Sequence, residues 1–131
     1  MANHQLPLAL LPDTFAVCRL ASDEPLPAWA LTGGFVSLVR TIDEQSVVCR
    51  QDVVPAGVRC ERGWRCLRVE GTLDFALVGV LVALLMPLAA AGVSVFVVST
   101  FDTDYLLVPE ATLGRAVEAL REAGHRVQGA E

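Results

Sequence analysis

The chain has 131 residues, 53 % of them hydrophobic, and a formal net charge of −5. That supplies core material for one domain, or for two very small ones sharing a core, and argues against disorder. All ten basic residues are arginines, and the loose series Arg59, Arg62, Arg65, Arg68 alternates faces in a strand. It makes no continuous stripe to track a phosphate backbone, so nucleic acid is not expected as a partner.

In chain order, residues 1–15 (MANHQLPLALLPDTF) carry a short apolar patch but neither a basic n-region nor a small-residue cleavage site, so no signal peptide is expected. Residues 6–11 and 14–20 are predicted to form a hairpin around Pro12-Asp13, residues 25–31 (PLPAWAL) a short helical turn, and residues 35–40 and 45–50 a second hairpin around residues 41–44. Cys18, Cys49, Cys60 and Cys66 contain no C-x-x-C pair. Neither His4 nor His125 lies at a spacing that completes a zinc site with them. Reduced, mostly buried thiols are expected, with no metal and no cofactor.

Residues 63–71 (GWRCLRVEG) predict a strand. No charged residue follows from Phe75 through Phe101. Residues 75–98 are long enough to cross a bilayer. Pro87 inside the run, Gly92 as a helix stop and the β-branched string after it instead predict a helix ending near Ala91 and a strand over residues 93–99. A membrane partner is therefore not expected. Leu77, Leu81, Leu84 and Leu88 form one helical stripe, and Gly79, Ala83, Met86 and Ala90 another on nearly the opposite side. A helix apolar all round is expected to be buried all round. The small-residue side either meets a second layer (the N-terminal half or another subunit) or fits a tight intrachain core.

A turn at residues 102–104 and a strand over residues 105–108 come next. Residues 109–124 (PEATLGRAVEALREAG) read as a helix with acids at its start, the stripe Leu113, Ala116, Val117, Leu120, and Gly124 as its stop. HRVQ (residues 125–128) is a short last strand, with His125 expected at the surface. The order is βαββαβ, the ferredoxin-like unit. The expected fold is α+β: a C-terminal module over residues 61–131 packed with a smaller module over residues 1–60, antiparallel sheets with helices on one face.

Residues 40–48 (RTIDEQSVV), 63–75 (GWRCLRVEGTLDF) and 87–110 (PLAAAGVSVFVVSTFDTDYLLVPE) together resemble the ACT-domain proteins, of the type that includes small bacterial tandem-ACT proteins and cytosolic arginine sensors. The resemblance covers nearly the whole chain and implies a pair of ACT modules that bind a small effector, usually an amino acid, at an interface between modules. By the same resemblance the loop leading into the first helix, Asp74, Phe75, Ala76, Leu77, Val78 and Gly79, presents backbone N–H groups to a ligand carboxylate. Asp104 takes the ligand ammonium, and Ser94 and Val95 supply edge contacts from the neighbouring module. Free N–H groups at a helix start do attract anions, and a carboxylate does hold an ammonium by a charge-assisted bond. Because only one full module is present, the neighbour is expected to be a second subunit, giving a homodimer.

Each of these residues has a plainer reading. Asp74 suits a helix cap, and Asp102 and Asp104 suit a solvated hairpin turn. The arginine sensors carry a glycine and an acid where this chain has Asp74 and Leu77, so a different ligand preference is implied. No nucleophile sits beside a base, Asp102 and Asp104 are too close along one hairpin to flank a scissile bond, and there is no Gly-rich phosphate loop. An enzyme is not expected. The sequence thus predicts a cytoplasmic amino-acid-binding regulatory protein; the alternative is a ligand-free ACT interaction module or the regulatory subunit of a biosynthetic enzyme.

Overall fold

The computed structural model describes residues 5–71 and 78–130. Among them the elements run β1 (Pro7–Leu20), β2 (Ser37–Arg40), β3 (Gln45–Arg50), β4 (Cys60–Val69), α1 (Val80–Ala90), β5 (Phe96–Ser99), β6 (Asp104–Pro109), α2 (Leu113–Glu122) and β7 (Arg126–Gln128). The fold is α+β, as the residue patterns predict. The chain divides into two units, Asp13–Trp64 and Met1–Pro12 with Arg65–Glu131, so that β1 and β4 each contribute residues to both.

The hairpin expected at Pro12-Asp13 is absent, because β1 is one strand of 14 residues. Its N-terminal part pairs in parallel with β7, Pro7 opposite Arg126 to Ala9 opposite Gln128, and its C-terminal part pairs antiparallel with β3, Phe15 opposite Arg50 to Leu20 opposite Gln45. Pro12 falls between the two ladders, where no partner on that side needs its missing N–H, so the proline does not break the strand.

In the Asp13–Trp64 unit, β2 pairs antiparallel with β3, with Ser37 opposite Val48 and Arg40 opposite Gln45. The hairpin is closed by Thr41, whose Oγ1 accepts the N–H groups of Asp43 and Glu44 at 3.1 Å each. Ala16, Cys18, Leu20, Ala30, Val47, Cys49 and Val54 form the core, with Ala30 supplied by the short 3-10 turn Ala28–Leu31. Gln45 is fully buried and fully used: its Oε1 accepts from Arg40, and its Nε2 donates to Ala21 O and Glu24 O at 2.9 and 2.7 Å. That satisfaction is what makes a buried amide tolerable.

In the other unit the strand order is β7-β1-β4-β6-β5. Residues 7–12 of β1 are thus inserted between β7 and β4 of the βαββαβ unit. Helices α1 and α2 share one core with the sheet: Val80, Leu84 and Leu88 from α1 and Ala116, Val117 and Leu120 from α2 pack with Leu8, Leu67, Val69, Leu106 and Val108. On β4, Leu67 and Val69 point to the helices and Cys66 to the opposite side, as a period of two requires. The helix and strand predicted across the charge-free run are both present. Gly92, at φ +72°, ends α1 by the left-handed C-terminal turn, its N–H reaching Ala89 O at 3.0 Å while Val93 N–H reaches Leu88 O at 3.0 Å. No helix among the described residues is long and apolar enough to cross a membrane.

Three expectations are corrected here. Helix α1 begins at Val80 behind Gly79, so Gly79 caps it and joins no stripe. The helix is also not buried all round, since Val82 and Met86 are 56 and 66 % exposed. His125 is not a surface residue but is 4 % exposed, because two backbone groups distant in sequence close over its ring.

Candidate functional site

The hairpin joining β5 and β6 carries the acid singled out by the sequence. β5 stands at the end of the strand order, paired antiparallel with β6 from Phe96 opposite Leu107 to Ser99 opposite Asp104. In that last pair the Ser99 hydroxyl donates to Asp104 Oδ1 at 2.6 Å, which fixes the half-buried carboxylate. Asp102 is exposed and sits at the tip of the turn.

Thr103 sets where this turn lies. It is 7 % exposed and its Oγ1–H donates to Val69 O at 2.8 Å, while Thr100 N–H donates to Thr103 O at 2.8 Å. The hydroxyl bond ties the acidic turn to the end of β4, from which the chain leaves for α1. Beside that exit Arg68 Nε donates to Glu70 Oε2 at 2.9 Å. The Glu70 bond, assisted by the Tyr105 hydroxyl, raises the pKa of Arg68.

Of the residues predicted for a ligand site, Asp74, Phe75, Ala76 and Leu77 lie outside the described residues. Val78 is 83 % exposed, and Gly79 adopts φ +84° as the N-cap of α1, with its carbonyl accepting from Ala83 N–H at 2.9 Å. A side chain at Gly79 is strained at that φ, so glycine fits the turn into the helix. Ser94 is exposed, and Val95 is half-buried against the core; both precede β5, which starts at Phe96 and not at Val93. What the structure brings together is the turn holding Asp104 and the β4 end at Val69. Thr103 and Ser99 do the positioning, and the sequence reading missed both. The signal available for them was the Ser-Thr-Phe-Asp-Thr-Asp run, in which hydroxyls surround a turn and can bond its backbone.

The described residues contain no group of three or more His, Cys, Asp or Glu side chains able to hold a metal ion. The four cysteines are free, with Cys18, Cys49 and Cys66 buried. Burial, then the neighbouring Cys49 and Cys60 thiols, pushes Cys18 up to about 12, and burial alone does the same to Cys66. Such thiols are packing residues, not nucleophiles.

Residues 59–122 match the family model described as ACT domain, and residues 13–57 match a model described as an N-terminal domain. The structure of protein Atu0741 from Agobacterium tumefaciens superposes with a TM-score of 0.90 at 40 % identity, covering 95 % of this chain and 92 % of that one. The human "Cytosolic arginine sensor for mTORC1 subunit 1" is 33 % identical over an alignment of 108 residues that covers 77 % of this chain and 32 % of the sensor. The chain therefore spans about a third of the length of that curated relative. The ligand-free regulatory subunit of aspartate kinase from Thermus thermophilus has a TM-score of 0.61 at 13 % identity, covering 88 % of this chain and 96 % of that one, a likeness of fold alone. With the ACT model over its helix-bearing half and a 40 % identical relative matched over 92 % of its chain, this chain belongs to the ACT-domain proteins.

Proposed function

We propose that the protein is a cytoplasmic regulatory module that binds an amino acid beside the β5–β6 turn and passes the binding event to a partner surface. The observation that carries this reading is the Thr103–Val69 bond, which anchors the turn bearing Asp104 to the end of β4, after which the residues proposed for the ligand carboxylate follow in sequence. In that arrangement Asp104 takes the α-ammonium, and N–H groups from Asp74 to Gly79 take the α-carboxylate. Leu77 offers no charge to a cationic side chain, and burying a guanidinium without a partner is costly. The preferred ligand therefore has an apolar or small polar side chain. Ser94 and Val95, just before the edge strand, meet a second copy of the chain, and the exposed Val82 and Met86 face of α1 supports a homodimer. Isothermal titration of the chain and of Asp104→Ala with amino acids tests the reading.

A second reading has its own support. Asp104 already accepts a bond from Ser99, so an ACT interaction module, or a regulatory subunit that binds no effector, also leaves the carboxylate satisfied.

A further inference from the structure

On the sheet face that packs against the helices, β4 carries Val69, Leu67 and then Arg65, by the alternation of a strand. Leu67 and Val69 lie in the core, whereas Arg65 stands where helix cover gives way to an open groove of about 690 Å³. That volume falls within the roughly 300–1,000 Å³ of small-molecule sites. Leu10 of β1 and Leu113 and Val117 of α2 make its apolar walls, and Glu118 and Glu122, one turn apart, stand on its rim. The far edge is the segment after β7. Arg121 Nη2 pins it by donating to Val127 O at 2.7 Å and Ala130 O at 2.9 Å, and Gly129 lets it approach β1, since a Cβ there would lie 3.1 Å from Leu10 O.

Arg65 is the anomaly of this groove. Its Nη2 donates to Leu11 O at 3.3 Å, and its Nε is shut off from solvent with no hydrogen-bond acceptor among the described residues. The ion pairs present among the described residues are Arg50 with Asp52 and Arg68 with Glu70, so none of the described carboxylates pairs with Arg65. Arg65 lines a cleft with apolar walls, where the Nη groups of a guanidinium can take a carboxylate through a planar fork.

We propose that this groove is a binding site for a small aliphatic carboxylate, its carboxylate held by Arg65 and its chain laid against Leu10, Leu113 and Val117. The rim carboxylates of Glu118 and Glu122 disfavour a multiply charged phosphate and leave a place for an amino group if the ligand carries one. A simple carboxylic acid and an aliphatic amino acid share the required chemistry. The site lies on the α2 side of the module and does not use Asp104, so it stands or falls independently of the effector site proposed above.

The test is an amide chemical-shift titration of the whole chain with 4-methylpentanoate, leucine and 3-methylbutylamine, which share a branched chain and differ in their charged ends. One or both carboxylate-bearing probes should shift the amides of Gly114, Glu118 and Gly129 at millimolar concentration, and the tighter binder of the two names the source. Arg65→Gln should weaken that binding at least about tenfold, and Asp104→Ala should leave it unchanged. If Arg65→Gln does not fold, Leu113→Glu gives the same test by placing a carboxylate on the groove wall. The proposal is overturned if neither carboxylate shifts these amides, if the amine shifts them as strongly, or if binding survives Arg65→Gln in a folded protein or, failing that, Leu113→Glu.

Discussion

His125 Nε2 lies 2.9 Å from Ala83 O, the carbonyl that Pro87, four residues on, leaves without a helical donor. The other ring nitrogen, Nδ1, accepts the Leu6 N–H at 3.0 Å, which fixes the proton on Nε2. One side chain thus satisfies two part-buried backbone groups, repairs α1 at its proline and ties the helix to the residue preceding β1.

Replacing His125 with Ala strands both groups and should cost about 1 to 3 kcal/mol of stability in urea unfolding, the range for unsatisfied buried groups. Pro87→Ala restores a donor for Ala83 O. The penalty of His125→Ala should therefore be smaller in the Pro87→Ala background, and equal penalties in both backgrounds would show that the His125 contact with α1 contributes nothing.

At the acidic turn the proposed roles separate Asp104 from its neighbours. Asp104→Ala should weaken amino-acid binding by about 2 to 5 kcal/mol, the range for removing the partner of a buried charge. Asp102→Ala, at the exposed tip, should do far less. Thr103→Val should also weaken binding, because it frees the turn from Val69 while leaving Asp104 in place. Equal effects of Asp102→Ala and Asp104→Ala in calorimetry would mark the turn as structural.

The thiols give a prediction about pH. Cys18 and Cys66 move from an ordinary 9.0 to about 12 in the folded chain, so between these values the unfolded chain releases protons that the folded one keeps. Stability is unaffected below pH 9 and should fall as pH rises from 9 to 12. At pH 8 iodoacetamide should modify half-buried Cys60 first, and mass spectrometry should find Cys18, Cys49 and Cys66 labelled only after unfolding.

The exposed side of α1 predicts assembly. Val82 and Met86 are one turn apart and both open to solvent in the single chain. If they meet a second copy, Met86→Glu should turn a dimer into a monomer by light scattering at micromolar concentration with little loss of secondary structure. A wild-type chain that is already monomeric under those conditions removes this interface.

What could be read from the residues was what local chemistry decides. Gly92 ends α1 because of its own left-handed backbone, and the stripe of Leu113, Ala116, Val117 and Leu120 gives α2 regardless of its surroundings. Pro12-Asp13 has turn chemistry, but β1 runs straight through it because its neighbours on that side change there from β7 to β3, which no local pattern reveals. His125 was misread for the same reason: its partners Leu6 and Ala83 lie 119 and 42 residues away. In the candidate site the acid in the turn was legible, and Thr103 was not, since its acceptor Val69 is 34 residues upstream. Arg65 was legible only as one of four spaced arginines; its place in the groove depends on where α2 crosses the sheet.

The central claim is that the module binds an amino acid with an apolar or small polar side chain through Asp104. A thermal-shift panel of the twenty amino acids on the wild-type chain and on Asp104→Ala tests it most directly, because a ligand that binds the native state raises the melting temperature by mass action. The account predicts that at least one such amino acid raises the wild-type melting temperature and that Asp104→Ala abolishes the rise. Arginine or lysine giving the largest shift, or no amino acid giving any, would contradict it.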